Sequence, residues 1–144
     1  MRIQDQAVIH APAEVVWAVT TDIEHLPEAT PTVTKVEPLD PVPLALGGRA
    51  RLTQPGLSTR VWTVTELEPN RVFAWSTRVM GVRMTGRHEL RSVAEGCENT
   101  LSIDLSGPGS GLLGRLARRR MTESLATENA GFRRVAEGRV APTA

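Results

Sequence analysis

Apolar and polar residues alternate over the first ten positions of the chain and again through its middle. Ile3, Ala7 and Ile9 share one side of residues 2–10, as expected for a strand with one buried face. The short gaps between later strand-like segments carry Pro, Gly and Asn, so we predict antiparallel hairpins. These segments are rich in Val, Thr, Trp, Phe and Ile and cover 33–37, 49–53, 59–67, 71–79, 82–93 and 100–106.

Helical spacing replaces this alternation directly after the first strand. Pro12 can begin a helix because the first amide of a helix has no partner to lose. The apolar residues that follow it predict a helix over 12–20. Asp22 is then placed to cap a short helical turn over 23–28. We therefore predict two short helices between the first two strands.

A long helix is predicted at the C-terminal end of the chain, over 112–137. We expect Gly138 to end it and residues 139–144 to be frayed. Its apolar stripe follows three- and four-residue steps and consists of Leu113, Ala117, Met121, Leu125, Phe132 and Val135.

This order of elements indicates an α+β fold in one domain over residues 1–144. A large antiparallel sheet has an apolar face to cover, and the C-terminal helix is the one predicted element long enough to cover it. A single helix does not fill the concave side of a twisted sheet. We therefore expect a cavity between the sheet and the helix.

Composition narrows the classes of function. The formal net charge of the 144 residues is +1, so we expect no nucleic-acid partner. Cys97 is the single cysteine, which excludes an internal disulfide and suits a reducing compartment. The polar N-terminus and the lack of a long apolar run predict neither a signal peptide nor stable membrane anchoring. We therefore expect a cytoplasmic protein.

Five short segments resemble a known family. The segment at 9–19 reads IHAPAEVVWAV, and the others, in order, are DIEHLP at 22–27, GRARL at 48–52, WTVTELEP at 62–69 and FAW at 73–75. Together they resemble the polyketide cyclase/dehydrase and lipid-transport family of the START-related helix-grip (SRPBCC) superfamily. Leu26 stands where an aromatic residue is common in that family.

The resemblance implies a helix-grip fold, in which a seven-stranded antiparallel sheet wraps around the C-terminal helix and encloses a ligand cavity. Members of the family include aromatic polyketide cyclases and carriers of lipids or quinones. No catalytic motif is common to them, so none is transferred to this chain. Several cyclases use Arg, His or Tyr in the cavity, and this chain has no tyrosine.

His88 is the candidate catalytic residue. In the strand at 82–93 its parity is that of the uncharged positions, whereas the other parity is almost entirely charged. His88 should therefore face the cavity, where it could hydrogen-bond a ligand carbonyl or act as a general base. A histidine satisfied within the core, or at the cavity rim, is the alternative.

The remaining ligand-binding candidates are apolar. An aromatic wall for a flat ligand is one interpretation of these side chains, and ordinary core packing is the other. On the strands the candidates are Trp62, Phe73, Trp75, Met84 and Leu90, and on the long helix they are Met121 and Leu125.

Other features predict no chemistry. Arg115, Arg118, Arg119 and Arg120 could contact anionic lipid or phosphate, but with Glu123 and Glu128 nearby we expect a solvated helix face. The histidines lack the spacing of metal ligands, and the glycines at 107–111 lack the lysine of a phosphate loop. Cys97 is expected in a turn between two strands. We predict neither a metal nor a cofactor.

The function predicted from the sequence is binding of a hydrophobic small molecule, either lipid-like or an aromatic polyketide. Polyketide cyclase/dehydrase-like activity is one form of it. A non-catalytic lipid or quinone carrier or sensor, or a protein-interaction module, is the alternative. An enclosed cavity with two or more convergent polar groups would favour the enzyme. The sequence leaves open the ligand, turnover, the pathway and whether the protein is a homodimer.

Overall fold

The computed structural model describes residues 1–141. After the first strand the chain forms a helix, a single 3-10 turn at Ile23–His25 and a second, shorter helix, before the rest of the sheet and the long helix. The elements are β1 Arg2–Ile9, α1 Ala13–Thr21, α2 Leu26–Ala29, β2 Lys35–Pro38, β3 Arg49–Gln54, β4 Leu57–Glu68, β5 Val72–Val79, β6 Val82–Val93, β7 Gly96–Ser106 and α3 Ser110–Val140.

The seven strands form one antiparallel sheet in the order β1-β7-β6-β5-β4-β3-β2. Strands β2 to β7 pair in the order of the chain and make a meander, and β1 pairs with β7 to complete the edge. The helix α3 packs closely on β1 and β7 and on both short helices. The predicted α+β helix-grip fold, with two short helices after β1, is confirmed.

Two predicted boundaries were wrong. Strand β7 begins at Gly96, so Cys97 is fully buried within the strand and not in a turn. Gly96 adopts a φ of +142° and permits a tight two-residue connection from Val93. Helix α3 runs through Gly138 to Val140 because that glycine does not adopt the left-handed conformation that ends helices. Residues 139 and 140 are therefore helical, and residues 142–144 lie outside the described part of the chain.

A buried polar network attaches the C-terminal half of α3 to the sheet. The side-chain amide of Asn99 donates to Oδ1 of Asn129 at 2.8 Å. Asn129 in turn donates to the carboxylate of Asp5 at 2.8 Å and to its main-chain oxygen at 3.2 Å. Phe132, one turn further along α3, is fully buried. The network fixes the helix along the sheet, since buried amides are costly unless they are paired.

A β-bulge keeps the inner face of β4 apolar beyond Val64. The register with β5 shifts between Val64 and Glu66, so Leu67 lies opposite Phe73. Without the extra residue, alternation would have turned Glu66 inward and Leu67 outward.

Among residues 1–141, no helix is both long enough and apolar enough to cross a lipid bilayer.

Candidate functional site

A cavity of about 690 Å³ lies between α3 and the strands from β3 to β7. The close contacts of α3 are with β1, β7 and the short helices, so space remains beside the middle strands. Pockets that hold small organic ligands have volumes of roughly 300–1,000 Å³. The cavity is therefore of a suitable size for such a ligand.

Aromatic side chains form one wall of the cavity. The ring centroids of Trp62 and Trp75 are 5.9 Å apart, and those of Phe73 and Trp75 are 5.0 Å apart in an edge-on arrangement. Gly86 lies on β6 opposite Trp75, and a Cβ at this glycine would be in ordinary contact with both indoles. The glycine thus leaves the space in front of the two tryptophans open.

His88 lies in the same wall, on β6. Its ring packs edge-on against Phe73 at 5.3 Å and is tilted against Phe132 at 5.8 Å. The ring is buried, and burial lowers the pKa of His88 to about 4 because the charged imidazolium is poorly solvated there. The imidazole is therefore neutral at pH 7, where it is a weak base but can accept or donate a hydrogen bond.

Several polar atoms around the cavity are buried without a hydrogen-bond partner among the described residues. They are Oε1 of Gln54, Nε of Arg60, Nε1 of Trp62 and Nδ1 of His88, all on side chains that line the cavity. One further such atom, Oδ1 of Asn99, lies outside it. Each buried and unpaired polar group costs about 1–3 kcal/mol, so the concentration of four around one cavity distinguishes this place from the rest of the interior.

Glu128 contributes a carboxyl group from the helix side. Its one hydrogen-bond donor among the described residues is the hydroxyl of Thr32, at 3.4 Å. Burial raises the pKa of Glu128 to about 7, although the Thr32 hydroxyl partly offsets this effect. Neutral and ionised forms of this group therefore coexist near pH 7.

The exposed lining residues show where the cavity opens. They lie at Pro31 before β2, at Pro55, Gly56 and Ser58 around the β3–β4 turn, in the β5–β6 turn at Met80, and on α3 at Arg120, Glu123 and Thr127. The guanidinium group of Arg120 lies against Gly56. These residues surround the opening, which we call the mouth.

Most of the residues predicted from the sequence lie together in this cavity. Leu90 is the exception: it is buried but does not line the cavity. It lies opposite Asn99, where the polar network brings the helix down onto the sheet and leaves no space. The predicted residues that do line the cavity are Trp62, Phe73, Trp75, Met84, His88, Met121 and Leu125.

Among the polar lining residues that sequence reasoning missed, Gln54 and Arg60 carry buried unpaired atoms and Glu128 carries a buried carboxyl group. Arg60 has the parity of Trp62, two residues later, so the alternation that placed the tryptophan could have placed the arginine. Glu128 was assigned to a solvated helix face, yet it stands three residues after Leu125 and four before Phe132, within the apolar stripe. Nothing local indicated Gln54, which ends a short strand.

Within residues 1–141, no group of three or more His, Cys, Asp or Glu side chains is arranged to hold a metal ion.

Comparison with known proteins gives one family and many similar folds. The profile of the polyketide cyclase/dehydrase and lipid transport family matches residues 1–137. Among curated proteins, no sequence matches the chain.

Three solved structures illustrate the similarity of fold. Protein MLL2253 from Mesorhizobium loti is 15% identical with a TM-score of 0.76, and the match covers 99% of this chain and 100% of that one. The di-domain aromatase/cyclase StfQ of the steffimycin pathway is 16% identical with a TM-score of 0.77, covering 96% and 51%. The Zhui aromatase/cyclase from Streptomyces sp. R1128 is 21% identical with a TM-score of 0.68, covering 96% and 92%.

Proposed function

The chain belongs to the polyketide cyclase/dehydrase and lipid transport family, and on this basis we propose that its cavity binds a flat hydrophobic molecule that carries oxygen atoms. Two of the similar structures are those of aromatase/cyclases, which supports a polyketide-like or aromatic ligand. The single cysteine supports a cytoplasmic location.

The unpaired polar atoms around the cavity carry this proposal. The N–H groups of Arg60 and Trp62 are donors, and Oε1 of Gln54 is an acceptor. A ligand with both carbonyl and hydroxyl groups would pair with all three while its ring stacks on the tryptophans. A pure hydrocarbon would leave these groups unpaired.

Two further polar groups of the cavity, on His88 and Glu128, support an enzyme rather than a non-catalytic carrier. Ring closure of a poly-β-ketone begins when a base removes a proton from an α-carbon. The resulting enolate carbon bonds to a carbonyl carbon of the same chain, and an acid protonates the alkoxide; loss of water then gives a ring double bond. With a pKa of about 7, the carboxylate of Glu128 is the stronger base of the two, so it takes the α-proton and then returns it to the alkoxide, while neutral His88 hydrogen-bonds the carbonyl group.

Binding is tested by filling the cavity. Gly86→Val places two methyl groups in front of Trp62 and Trp75, so a flat aromatic such as a naphthol or a flavonoid should bind at least tenfold more weakly. Thr85→Val is the matched control, because residue 85 lies on the outer face of the same strand. Saturable quenching of tryptophan emission measures the dissociation constants. Equal affinity in wild type and Gly86→Val would contradict the proposed site.

Native mass spectrometry of the freshly purified wild-type protein complements the titration. A co-purified small molecule that is lost in Gly86→Val and kept in Thr85→Val would identify the ligand class. An oxygen-free lipid at this site would contradict the proposed ligand chemistry.

Turnover is tested separately with a short linear poly-β-ketone as substrate and chromatography of the products. His88→Leu should keep the fold and the binding of flat aromatics but lose most of the rate above the uncatalysed reaction. Glu128→Gln should reduce the rate more at high pH, where the native carboxyl group is ionised and can act as the base, than at low pH. Tight binding with no turnover by the wild-type protein would instead assign a carrier, which is the alternative function.

A further inference from the structure

Apolar side chains are exposed beside the mouth of the cavity. Leu112 and Leu116, one turn apart near the start of α3, are 63% and 77% exposed. Their neighbours Leu113 and Ala117 line the cavity. Met80, at the tip of the β5–β6 hairpin, is 87% exposed. Exposed apolar side chains that cluster in one place, unlike those scattered singly, mark a site of contact with another apolar phase.

The same part of α3 is strongly basic. Arg115, Arg118, Arg119 and Arg120 are all exposed. Within the described chain, Arg119 pairs with Glu123, and the other three have no carboxylate within 4.0 Å. Most other arginines that form ion pairs lie on the outer face of the sheet or near the far end of α3. The net charge of +1 for the whole chain therefore conceals a basic region beside the mouth.

The β5–β6 hairpin adds two more exposed arginines that form no ion pair with a described residue. Arg78 and Arg83 are direct partners across the two strands, and like charges in such positions repel each other. Neither has a carboxylate within 4.0 Å among residues 1–141. Met80 adopts a positive φ of +53°, which is unfavourable for its side chain.

These two surfaces are neighbours. The β5–β6 turn lies against Gly107, three residues before α3 begins. Met80, Leu113 and Arg120 line one opening from its different sides. The exposed apolar side chains and the four arginines of α3 therefore lie beside the mouth, and Arg78 and Arg83 lie at the same end of the molecule on the outer face of the sheet. We call this end the mouth face.

We propose that the mouth face docks reversibly on an anionic lipid surface. Leu112, Leu116 and Met80 enter the boundary between headgroups and acyl chains, and the arginines around them contact lipid phosphates. The mouth of the cavity then opens toward the bilayer. Because no helix of residues 1–141 can span a bilayer, the association is peripheral.

Charge argues against the other occupants of this face. A second copy of the chain in a two-fold arrangement would bring two sets of arginines together. An acidic protein would satisfy the arginines, but the leucines and the methionine would need a matching apolar surface in the same place. A bilayer with anionic lipid provides negative charge and an apolar phase together.

The experiment measures co-sedimentation of the full chain with phosphatidylcholine vesicles, with and without phosphatidylglycerol. Binding should require the anionic lipid and should fall steeply as salt screens the phosphates. Arg115→Gln with Arg118→Gln should lower the partition coefficient by roughly 25-fold, since each arginine near an anionic surface contributes about fivefold. Arg71→Gln with Arg139→Gln is the matched control, because these arginines are exposed at the opposite end of the molecule.

Insertion is tested independently of charge. Leu112→Ser with Leu116→Ser keeps every arginine and should lower the partition coefficient about tenfold. A polarity-sensitive dye on Met80→Cys in a Cys97→Ser background should shift to the blue with anionic vesicles alone. These results would support the proposal.

Four outcomes would overturn it. The first is no binding to anionic vesicles at low salt, or equal binding to neutral ones. The second is an equal loss of binding in the control pair of arginines. The third is a dimer in sedimentation velocity that Leu112→Ser with Leu116→Ser dissociates, which would assign the face to a second copy. Binding of polyglutamate without vesicle binding would assign it to an acidic protein.

Discussion

The two halves of α3 face the same sheet in different ways. From Gly131 to Ala136 one side of the helix is buried against β1, β7 and the short helices, with Phe132 fully enclosed. From Leu113 to Glu128 it borders the cavity instead. We call these the packed half and the cavity half.

The difference shows how one helix can both hold the fold together and leave room for a ligand. The network of Asp5, Asn99 and Asn129 lies at the boundary between the halves and fixes the helix there. The cavity half then needs few contacts of its own, so its side chains can face a ligand rather than the core. The predictions below test this division, from the largest expected effect to the smallest.

Phe132→Ala should be the most damaging change in α3. Removal of a fully buried phenylalanine leaves a void and costs about 3–5 kcal/mol of unfolding free energy. Met121→Ala, in the cavity half, should cost about 1 kcal/mol, because this side chain already borders open space. Urea denaturation of both variants measures the difference. Equal losses would show that the two halves contribute alike.

Gly131→Ala should destabilise the packed half. A Cβ at residue 131 would overlap the carbonyl oxygen of Ala29, so the helix or α2 must shift, at a cost of about 1–3 kcal/mol. Gly138→Ala is the matched control in the same helix. No atom lies within 4 Å of its Cβ position, so it should stabilise the protein by up to about 1 kcal/mol. Thermal melts of both variants that shift in the same direction would disprove the close approach.

Asn129→Ala should cost about 2 kcal/mol, since it leaves the amide of Asn99 and the carboxylate of Asp5 without their partner. Replacing both asparagines with leucine should be less damaging than the sum of the single leucine changes. A double-mutant cycle measured by denaturation gives the coupling energy. A coupling of zero would mean that the network does not fix the helix.

The smallest effect concerns pH and the cavity half. Native Glu128 keeps its proton up to a pH of about 7, whereas the unfolded chain releases it near its ordinary pKa of about 4.3. Unfolding free energy therefore falls as pH rises through this window. Native His88 stays neutral down to a pH of about 4, whereas in the unfolded chain it takes up a proton near its ordinary pKa of about 6.5. Its contribution to the unfolding free energy therefore falls as pH drops from about 6.5 to 4.

As pH rises, the titration of Glu128 lowers the unfolding free energy while that of His88 raises it. The two effects partly cancel in the wild-type protein between pH values of about 4.3 and 6.5. Glu128→Gln removes one of them and should raise stability at pH 8 by about 1 kcal/mol, with little change at pH 4. Glu123→Gln, on the exposed side of α3, is the control. Melts at the two pH values test this, and an equal change at both would rule out the titration of Glu128 as the cause.

Strand parity predicted much of the site because it depends on neighbouring residues alone. The inward positions of Trp62, Trp75, Met84 and His88 followed from alternation, and the same rule would have placed Arg60. The resemblance to a family added the number of strands and the wrapping of the sheet around the C-terminal helix. These parts of the fold could be predicted without any knowledge of contacts distant in sequence.

Contacts distant in sequence decided the rest. Leu90 has the parity of His88 but lies outside the cavity, because the Asn99–Asn129 hydrogen bond brings α3 down onto the sheet there. No local pattern shows that these asparagines meet. Glu128 was misassigned because its charge was given more weight than its place in the apolar stripe. Its environment depends on Thr32, 96 residues away in the sequence.

The close approach of Trp62 and Trp75 gives the cavity an optical signal of its own. Their ring centroids are 5.9 Å apart and their planes are inclined at 44°, so their transition dipoles couple and should produce an exciton couplet in the circular dichroism spectrum. Trp17, the third tryptophan, lies on α1 and does not line the cavity. The couplet therefore reports the geometry of this wall alone. A ligand that separates or reorients the two indoles would change its amplitude without any label.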